Sequence, residues 1–280
     1  FEFRDGDIII SAPSKSGTTW TQLLVALLVF DGPEFPAPLS LLSPWMDQKI
    51  RSKEEAHAIF ASQTHRRFIK THTPLDGVPY GEPITYVCVG RDPRDAAVSM
   101  IHHGANMRRE RFRELIATHH EPPPEREQRE FVESDYFDRF IDADEDRPDW
   151  AVKFLAHHYQ TFWDRRHLAN VELFHFSDYL ADLPGEVMRL AGHLGIAIDT
   201  ARAERLADEA AIERIRARAG DVAPEAHVGL WKDTAAFFRS GSAGEWRERM
   251  SPEQQRRYDE RVGHLFEPAL AKWVHLGHHG

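Results

Sequence analysis

The chain has 280 residues, of which 41% are hydrophobic, so it can bury one large core and is predicted to form a single domain. Its 35 Lys and Arg stand against 45 Asp and Glu, and the resulting net charge of -10 argues against a nucleic-acid binder held by broad phosphate neutralisation. The single cysteine excludes a disulfide within the chain, and the longest apolar run, residues 23–30, is far shorter than the roughly 20 residues that span a bilayer.

The first elements alternate between short buried strands and helices. Strands are predicted at residues 7–11, 67–70, 84–89 and 171–176, and helices at residues 19–30 and 95–102. This alternation predicts an α/β fold with a central parallel sheet flanked by helices. Ligands of such folds bind at the carboxyl ends of the strands, so the loops after the first three strands are the leading site candidates.

The later elements are predicted to be mainly helical. Helices are predicted at residues 149–167, 184–194 and 200–218, with a polar helical tail from residue 252. Residues 121–149 carry three consecutive prolines and a dense run of charges, which predicts a surface insertion with one short helix near residues 131–141. The alternative for this insertion is a lid over a ligand site.

Residues 11–20, with the sequence SAPSKSGTTW, join the first strand to the first helix through small residues. The backbone N-H groups and the positive helix end in such a turn can bind phosphate, and Lys15 can neutralise a leaving oxygen. The lysine precedes Gly17, whereas it follows the second glycine in the nucleotide-hydrolase pattern G-x-x-x-x-G-K-[ST], which disfavours an ordinary NTP kinase. An ordinary strand-to-helix turn with a Thr cap remains the structural alternative, and Trp20 fits either an adenine stack or the core.

From Lys15 to Trp20 this loop resembles the P-K-S-G-T-T-W segment of the cytosolic-type sulfotransferases, with Ser14 as one extra residue after Pro13. Members of that family use 3'-phosphoadenosine 5'-phosphosulfate (PAPS) and release adenosine 3',5'-bisphosphate (PAP). The resemblance implies a P-loop-like fold with a phosphosulfate-binding loop after the first strand. It also implies donor contacts from Lys15, Ser16, Gly17, Thr18, Thr19 and Trp20.

Residues 70–74, KTHTP, lie at the end of the second strand and resemble the family segment K-T-H-x-P. The resemblance implies that His72 is the general base for the acceptor hydroxyl and that Lys70 lies near the transferred sulfonate. An imidazole with an ordinary pKa near 6.5 can accept a hydroxyl proton at neutral pH. Without the motif, a surface or hydrogen-bonded histidine is the favoured interpretation of His72, and Lys70 fits a solvated strand-end lysine as well as a sulfonate contact.

Two further segments resemble the family's 3'-phosphate site. Residues 91–99, RDPRDAAVS, match R-[ND]-P-[KR]-D-x-x-x-S, which implies that Arg91 and Ser99 bind the phosphate. Residues 239–246, RSGSAGEW, resemble R-K-G-x-x-G-[DE]-W, which implies contacts from Arg239, Ser240 and Gly241. Ser240 stands at the family's lysine position, so one cationic contact is lost. Within the first segment, the neighbouring residues 94 and 95 are predicted to form a charge pair that contacts no ligand.

Other positions depart from the family pattern. Phe176 replaces the tyrosine of the family's Y-E-D segment, and Ile212 replaces an aromatic residue, so the adenine slot is predicted to be partly aliphatic. Pro252 and Arg256 interrupt the family's dimerisation stretch K-x-x-x-T-V-x-x-x-E, which leaves the oligomeric state open.

The predicted function is therefore in-line transfer of a sulfuryl group from PAPS to a hydroxyl of a mostly apolar small molecule or glycolipid. His72, Lys15 and Lys70 are the predicted catalytic residues, and no metal is expected, because the histidine pairs lack a ligand spacing such as H-E-x-x-H. The acceptor pocket is predicted to be walled by residues 35–51, 104–150 and 220–237. His103 and His157 are either part of that wall or exposed helix residues.

Two functional alternatives stay open at this point. One is a nucleotide-binding protein of the kinase or NTPase type, and the other is a binding module that keeps the nucleotide site without turnover. A location in the cytoplasm is expected, since one buried thiol fits a reducing compartment.

Overall fold

A four-stranded parallel sheet forms the centre of the computed structural model, which describes residues 2–121, 131–144, 150–239 and 243–279. Its strands are β1 (Ile8–Ser11), β2 (Phe68–Thr71), β3 (Thr85–Gly90) and β4 (Val171–His175), in the order β2-β1-β3-β4. In the register of the sheet, Ile8 pairs with both Phe68 and Thr85, and Tyr86 pairs with Val171. The predicted α/β fold with a parallel sheet is confirmed.

Helices cover both faces of this sheet. Their bounds are α1 (Thr18–Val29), α2 (Leu39–Leu42), α3 (Lys53–Ser62), α4 (Pro93–Asn106), α5 (Arg109–Ala117), α6 (Glu133–Asp142), α7 (Val152–Trp163), α8 (Phe176–Ala181), α9 (Leu183–His193), α10 (Thr200–Glu209), α11 (Ile212–Ala217), α12 (Ala219–Val222), α13 (Trp246–Arg249), α14 (Pro252–Leu265) and α15 (Pro268–Leu276). Short 3-10 turns lie at Leu75–Gly77, Ala226–Val228 and Ala235–Phe237. Among the described residues, none of these helices has the length and hydropathy that a bilayer crossing requires.

Alternation along β1 divides the core into two layers. Ile8 and Ile10 pack against α1, α9 and α10, whereas Ile9 faces the opposite layer with α6, α7, α14 and α15. Burying a large apolar side chain completely stabilises a fold by about 1.5–3 kcal/mol, so this sheet is anchored from both sides. Cys88 on β3 is completely buried in the second layer, where burial raises the pKa of its thiol.

The prediction of one continuous helix over residues 200–218 is wrong. The chain leaves helical geometry at Ala211, whose ψ of 145° is extended, and α10 and α11 are separate helices. The preceding carbonyl, that of Ala210, accepts a hydrogen bond from Trp20 Nε1 at 3.0 Å in place of a helical N-H. A tertiary contact therefore breaks a segment whose own residues favour helix, and the break places Ile212 at the wall of the cavity described below.

The insertion predicted at residues 121–149 is described in part. Its predicted short helix is α6, and Phe137 and Phe140 of that helix are completely buried in the second core layer. Residues 122–130 and 145–149 lie outside the described residues.

Candidate active site

The carboxyl ends of β1, β2 and β3 open into one cavity of about 830 Å³. The site residues predicted from the sequence that line it are Lys15, Gly17, Thr18, Thr19, Trp20, Lys70, His72, Arg91, Ser99, Phe176 and Arg239. Parallel strands end at a common edge of the sheet, which is why motifs far apart in sequence meet here. Ser16 does not line the cavity, and Ser240 and Gly241 lie outside the described residues.

The loop after β1 turns sharply before the amino end of α1. Lys15 and Gly17 both have left-handed backbone, with φ of 68° and 108°. A Cβ at Gly17 would lie 3.3 Å from Phe176 Cδ2 and 3.4 Å from Val89 Cγ2, so glycine is needed there for both conformation and space. The loop thus brings small residues to the positive end of a 12-residue helix, an arrangement that favours an anionic ligand.

One hydroxyl in this loop is available to such a ligand. Thr18 lines the cavity, and its Oγ1 atom is buried without a hydrogen-bond partner in the part of the chain that the structure describes. A buried hydroxyl without a partner costs free energy, which a ligand oxygen within reach would recover.

Two lysines place ammonium groups in the same cavity. Lys15 Nζ lies 3.4 Å from His103 Nδ1 and 4.1 Å from the ring centre of Phe237. Burial, with the neighbouring Arg91 and Lys70 cations, lowers the pKa of Lys15 to about 7. Burial also lowers the pKa of Lys70 to about 8, against the opposing influence of Glu225 and Asp47. Burial and mutual repulsion disfavour the charged forms of these lysines, and an anion bound between them would stabilise those charged forms.

The imidazole of His72 is held in one tautomer. Its Nδ1 atom lies 2.5 Å from the carbonyl oxygen of Ala12, which can only accept, so Nδ1 carries the proton and Nε2 keeps its lone pair. Burial, followed by the charge of Lys70, lowers the pKa of His72 to about 3, so the ring is neutral at neutral pH. The indole of Trp45 packs against the ring at 4.6 Å between centres and fixes its orientation. His72 is therefore a neutral, oriented proton acceptor.

An aromatic slot lies beside a guanidinium on the other side of the loop. The guanidinium carbon of Arg91 is 4.2 Å from the ring centre of Phe176, and its Nη1 donates to the Lys15 carbonyl at 3.1 Å. Trp20 meets Phe176 edge-on at 5.5 Å, and Ile212 lines the cavity nearby. A flat ring and a phosphate on one ligand match a slot with this composition.

The loop that carries Arg239 is tied to the start of α4. The backbone N-H of Gly244 donates to both carboxylate oxygens of Asp95, at 2.8 and 3.0 Å, and Arg239 pairs with Glu245. The predicted charge pair between residues 94 and 95 is wrong, because Arg94 instead pairs with Asp92, with 2.8 Å between Nη2 and Oδ2. The Asp92 carboxylate caps α4 by accepting a hydrogen bond from the backbone N-H of Arg94. This bond also holds the carboxylate beside the Arg94 guanidinium.

The rest of the cavity wall is mainly apolar and aromatic. It includes Trp45, Met100, Met107, Phe112, Tyr136, Trp150, Leu230, Trp231 and Phe237, most of them within the three segments predicted to wall an acceptor. His103 lies in this wall, where burial and then the charges of Lys15 and Lys70 lower its pKa to about 2. His157 does not line the cavity, since it is exposed and pairs with Asp76 at 3.0 Å.

Residues behind the loop were not found from the sequence. Ser16 Oγ lies 2.9 Å from Tyr159 Oη, and Ser11 Oγ lies 3.1 Å from His158 Nε2, so two consecutive residues of α7 contact the loop and the end of β1 from the core side. Both α7 residues are completely buried. In the sequence they are indistinguishable from the other core positions of an amphipathic helix.

The chain matches known proteins along nearly all of its length. A family model described as a sulfotransferase domain matches residues 5–273. A glycolipid sulfotransferase of Mycobacterium bovis is 47% identical over 302 residues, which cover 100% of this chain and 90% of that protein. A glycolipid sulfotransferase of Mycobacterium tuberculosis is 45% identical over 305 residues, with the same coverage of 100% and 90%.

A solved structure shares the fold. Retinol dehydratase, in a complex with androsterone and the inactive cofactor PAP, superposes with a TM-score of 0.75 at 25% identity. The match covers 95% of this chain and 82% of that one.

Proposed function

Because this chain belongs to the sulfotransferase domain family, we propose that it transfers a sulfuryl group from PAPS to a hydroxyl of a glycolipid or another lipid-like alcohol. It is a sulfotransferase enzyme, and its relatives give no support to the kinase or NTPase alternative or to a binding module without turnover. The observation that carries the detailed proposal is the neutral His72 imidazole, which shares one cavity with the ammonium groups of Lys15 and Lys70.

The donor spans the two cationic parts of the cavity. Its 5'-phosphosulfate binds the loop of residues 14–19, where Thr18 offers a hydroxyl without a described partner and Lys15 offers a charge. Its 3'-phosphate binds Arg91, Ser99 and the segment of residues 239–241. The adenine fits the slot of Trp20, Phe176 and Ile212. The occurrence of PAP in the structure of retinol dehydratase supports this choice of nucleotide.

The chemistry follows from the tautomer of His72. The acceptor hydroxyl gives its proton to Nε2 as its oxygen forms a new bond to sulfur, and the bond from sulfur to the bridging phosphate oxygen breaks. Lys15 stabilises the negative charge that this oxygen gains on leaving, and Lys70 stabilises the sulfonate oxygens. Burial is the main cause of the lowered pKa of His72, and the charges of Lys70 and Lys15 lower it further. The bound donor offsets those two charges, so the imidazole becomes a stronger base in the complex.

The acceptor binds on the apolar side of the cavity. Indole and aliphatic side chains there favour a lipid-linked or sterol-like alcohol over a highly charged polysaccharide. Both glycolipid sulfotransferases at 45–47% identity and the androsterone complex of retinol dehydratase support such an acceptor. Phe131 and Tyr136 of the insertion line the cavity, as does the neighbouring Trp150. We therefore assign the described part of the insertion, residues 131–144, to the acceptor wall, and we propose that the insertion acts as a lid over the bound acceptor.

Three expectations complete the proposal. The transfer needs no metal, because the lysines and loop amides supply the positive charge, and chelation with EDTA should leave the rate unchanged. A cytoplasmic location fits the single buried thiol. The single domain includes residues 1–280.

A transfer assay tests the proposal directly. Purified protein is incubated with sulfur-35 PAPS and a panel of glycolipids, sterols and phenols, and labelled products are separated by chromatography. The His72→Asn variant keeps a donor for the Ala12 carbonyl but has no basic nitrogen, so labelled product should fall at least about 100-fold. His157→Asn is the matched control, since His157 is exposed on α7 outside the cavity. Equal product from His72→Asn and wild type would remove His72 as the base.

A further inference from the structure

A single phenol hydroxyl connects both halves of the proposed donor site. Tyr159 Oη lies 2.9 Å from Ser16 Oγ in the loop after β1 and 3.3 Å from the backbone nitrogen of Arg91 after β3. The first contact belongs to the part of the site proposed for the 5'-phosphosulfate, and the second to the part proposed for the 3'-phosphate. Tyr159 is completely buried, and its position on α7 places it behind the cavity.

The directions of these hydrogen bonds follow from the groups. The backbone N-H of Arg91 can only donate, so the phenol oxygen accepts from it. Burial raises the pKa of Tyr159, so the phenol keeps its proton at working pH and can donate it to Ser16 Oγ at 2.9 Å or to the Arg91 carbonyl oxygen at 3.4 Å. The Tyr159 hydroxyl therefore both accepts and donates a hydrogen bond, and both bonds join uncharged groups.

Ser16 has the geometry of an anchor. Its side chain is completely buried, it does not line the cavity, and its oxygen meets Tyr159. The backbone around it is held in a sharp turn, because both flanking residues, Lys15 and Gly17, have positive φ. A conformation of this kind persists when the surrounding structure fixes it.

The next residue of α7 supports the same end of the sheet. His158 Nε2 lies 3.1 Å from Ser11 Oγ, and that hydroxyl donates to the Thr73 carbonyl at 2.6 Å, next to His72. Helix α7 thus contacts the end of β1 at Ser11 and the loop after β1 at Ser16.

We propose that Tyr159 is a positioning residue for the donor, which fixes Ser16 and Arg91 relative to each other so that both ends of the nucleotide bind at once. The inference rests on the proposed function. It assigns Ser16 an anchoring role through Tyr159 in place of a direct contact with the donor.

Titration calorimetry with PAP tests the inference on the full chain. Tyr159→Phe leaves the ring in place and removes the hydroxyl, and we expect PAP to bind about tenfold more weakly. Ser16→Ala should have a similar effect, and the double variant should be no weaker than either single variant, because both remove the same link. Tyr258→Phe is the control: this tyrosine is completely buried, outside the cavity, and its hydroxyl bonds His275 at 2.9 Å.

The outcomes separate the two levels of the argument. If wild type fails to bind PAP, the proposed function fails. If wild type binds PAP and Tyr159→Phe binds it within twofold of wild type, only the positioning role is overturned. Additive losses in the double variant would also overturn it, since they would make Ser16 an independent contact. Thermal unfolding of each variant confirms that it is folded. Equal losses of PAP affinity in Tyr159→Phe and Tyr258→Phe would mean that the effect is general destabilisation, and this would reject the proposal.

Discussion

Donor affinity should weaken as the pH rises above 7, because binding needs the charge on Lys15. The pKa of this lysine is about 7 in the donor-free cavity, lowered by burial and then by the charges of Arg91 and Lys70. A phosphosulfate next to the ammonium stabilises its protonated form, so the pKa of Lys15 is higher in the complex. Binding is then strongest below pH 7, and affinity is lost as the pH rises from about 7 towards the pKa of the complex.

The size of the effect follows from the pKa of the free site. Between pH 7 and the pKa of Lys15 in the complex, each pH unit weakens binding by up to tenfold, or about 1.4 kcal/mol. With a free-state pKa of about 7, PAP should bind about 15-fold more weakly at pH 8.5 than at pH 7. Lys70, whose pKa is lowered to about 8, adds to the loss above pH 8.

Titration calorimetry measures this dependence directly. PAP is titrated into the protein at pH 7, 7.75 and 8.5 in two buffers of different ionisation enthalpy, which also reports the protons taken up. The phosphate of the ligand titrates near pH 6, below this range. Lys15→Met should bind more weakly at pH 7 and lose most of the slope between pH 7 and 8. An affinity that changes less than twofold, or a full slope in Lys15→Met, would refute the reasoning.

Three other predictions concern single residues. Gly17→Ala places a Cβ on left-handed backbone, 3.3 Å from Phe176, and should lower the free energy of unfolding, measured in urea, by about 1–3 kcal/mol. The control is Gly263→Ala on α14, where a Cβ meets nothing within 4 Å and should cause no such loss. Equal losses of stability in the two variants would contradict the predicted strain at Gly17. Arg91→Lys removes a bidentate fork, so calorimetry should show about tenfold weaker binding of PAP and a smaller loss for adenosine 5'-phosphate; equal losses would remove Arg91 from the 3'-phosphate site. Cys88 is completely buried with a raised thiol pKa, so iodoacetamide at pH 8 should label it only after denaturation, as judged by mass spectrometry; rapid labelling of the folded protein would contradict its burial.

Much of the site could be predicted from local sequence. The strands carry apolar residues, and their carboxyl ends lead into residues that an apolar core would not contain, such as Lys70 near the end of β2 and His72 directly after it. Parallel strands end at one edge of the sheet, so residues at the ends of different strands are expected to lie near each other in space. The strand pattern directed attention to the loops after the first three strands, whereas the roles of His72 and Arg91 were inferred from the resemblance of their segments to the sulfotransferase family.

Tertiary contacts account for what the sequence did not reveal. The break between α10 and α11 depends on the Trp20 indole and the carbonyl of Ala210, which are 190 residues apart. The inward direction of Ser16 depends on a partner on α7, and no local pattern tells an inward serine from one that faces a ligand. Arg94 faces Asp92 and not Asp95, because the latter is taken by the backbone of a distant loop.

The crystal structure of a PAP complex would test the central claim most directly. The account predicts the 5'-phosphate on residues 14–19, the 3'-phosphate at Arg91 and Ser99, and His72 Nε2 facing the space above the 5'-phosphate. PAP bound at another surface, or His72 turned away from that space, would contradict it.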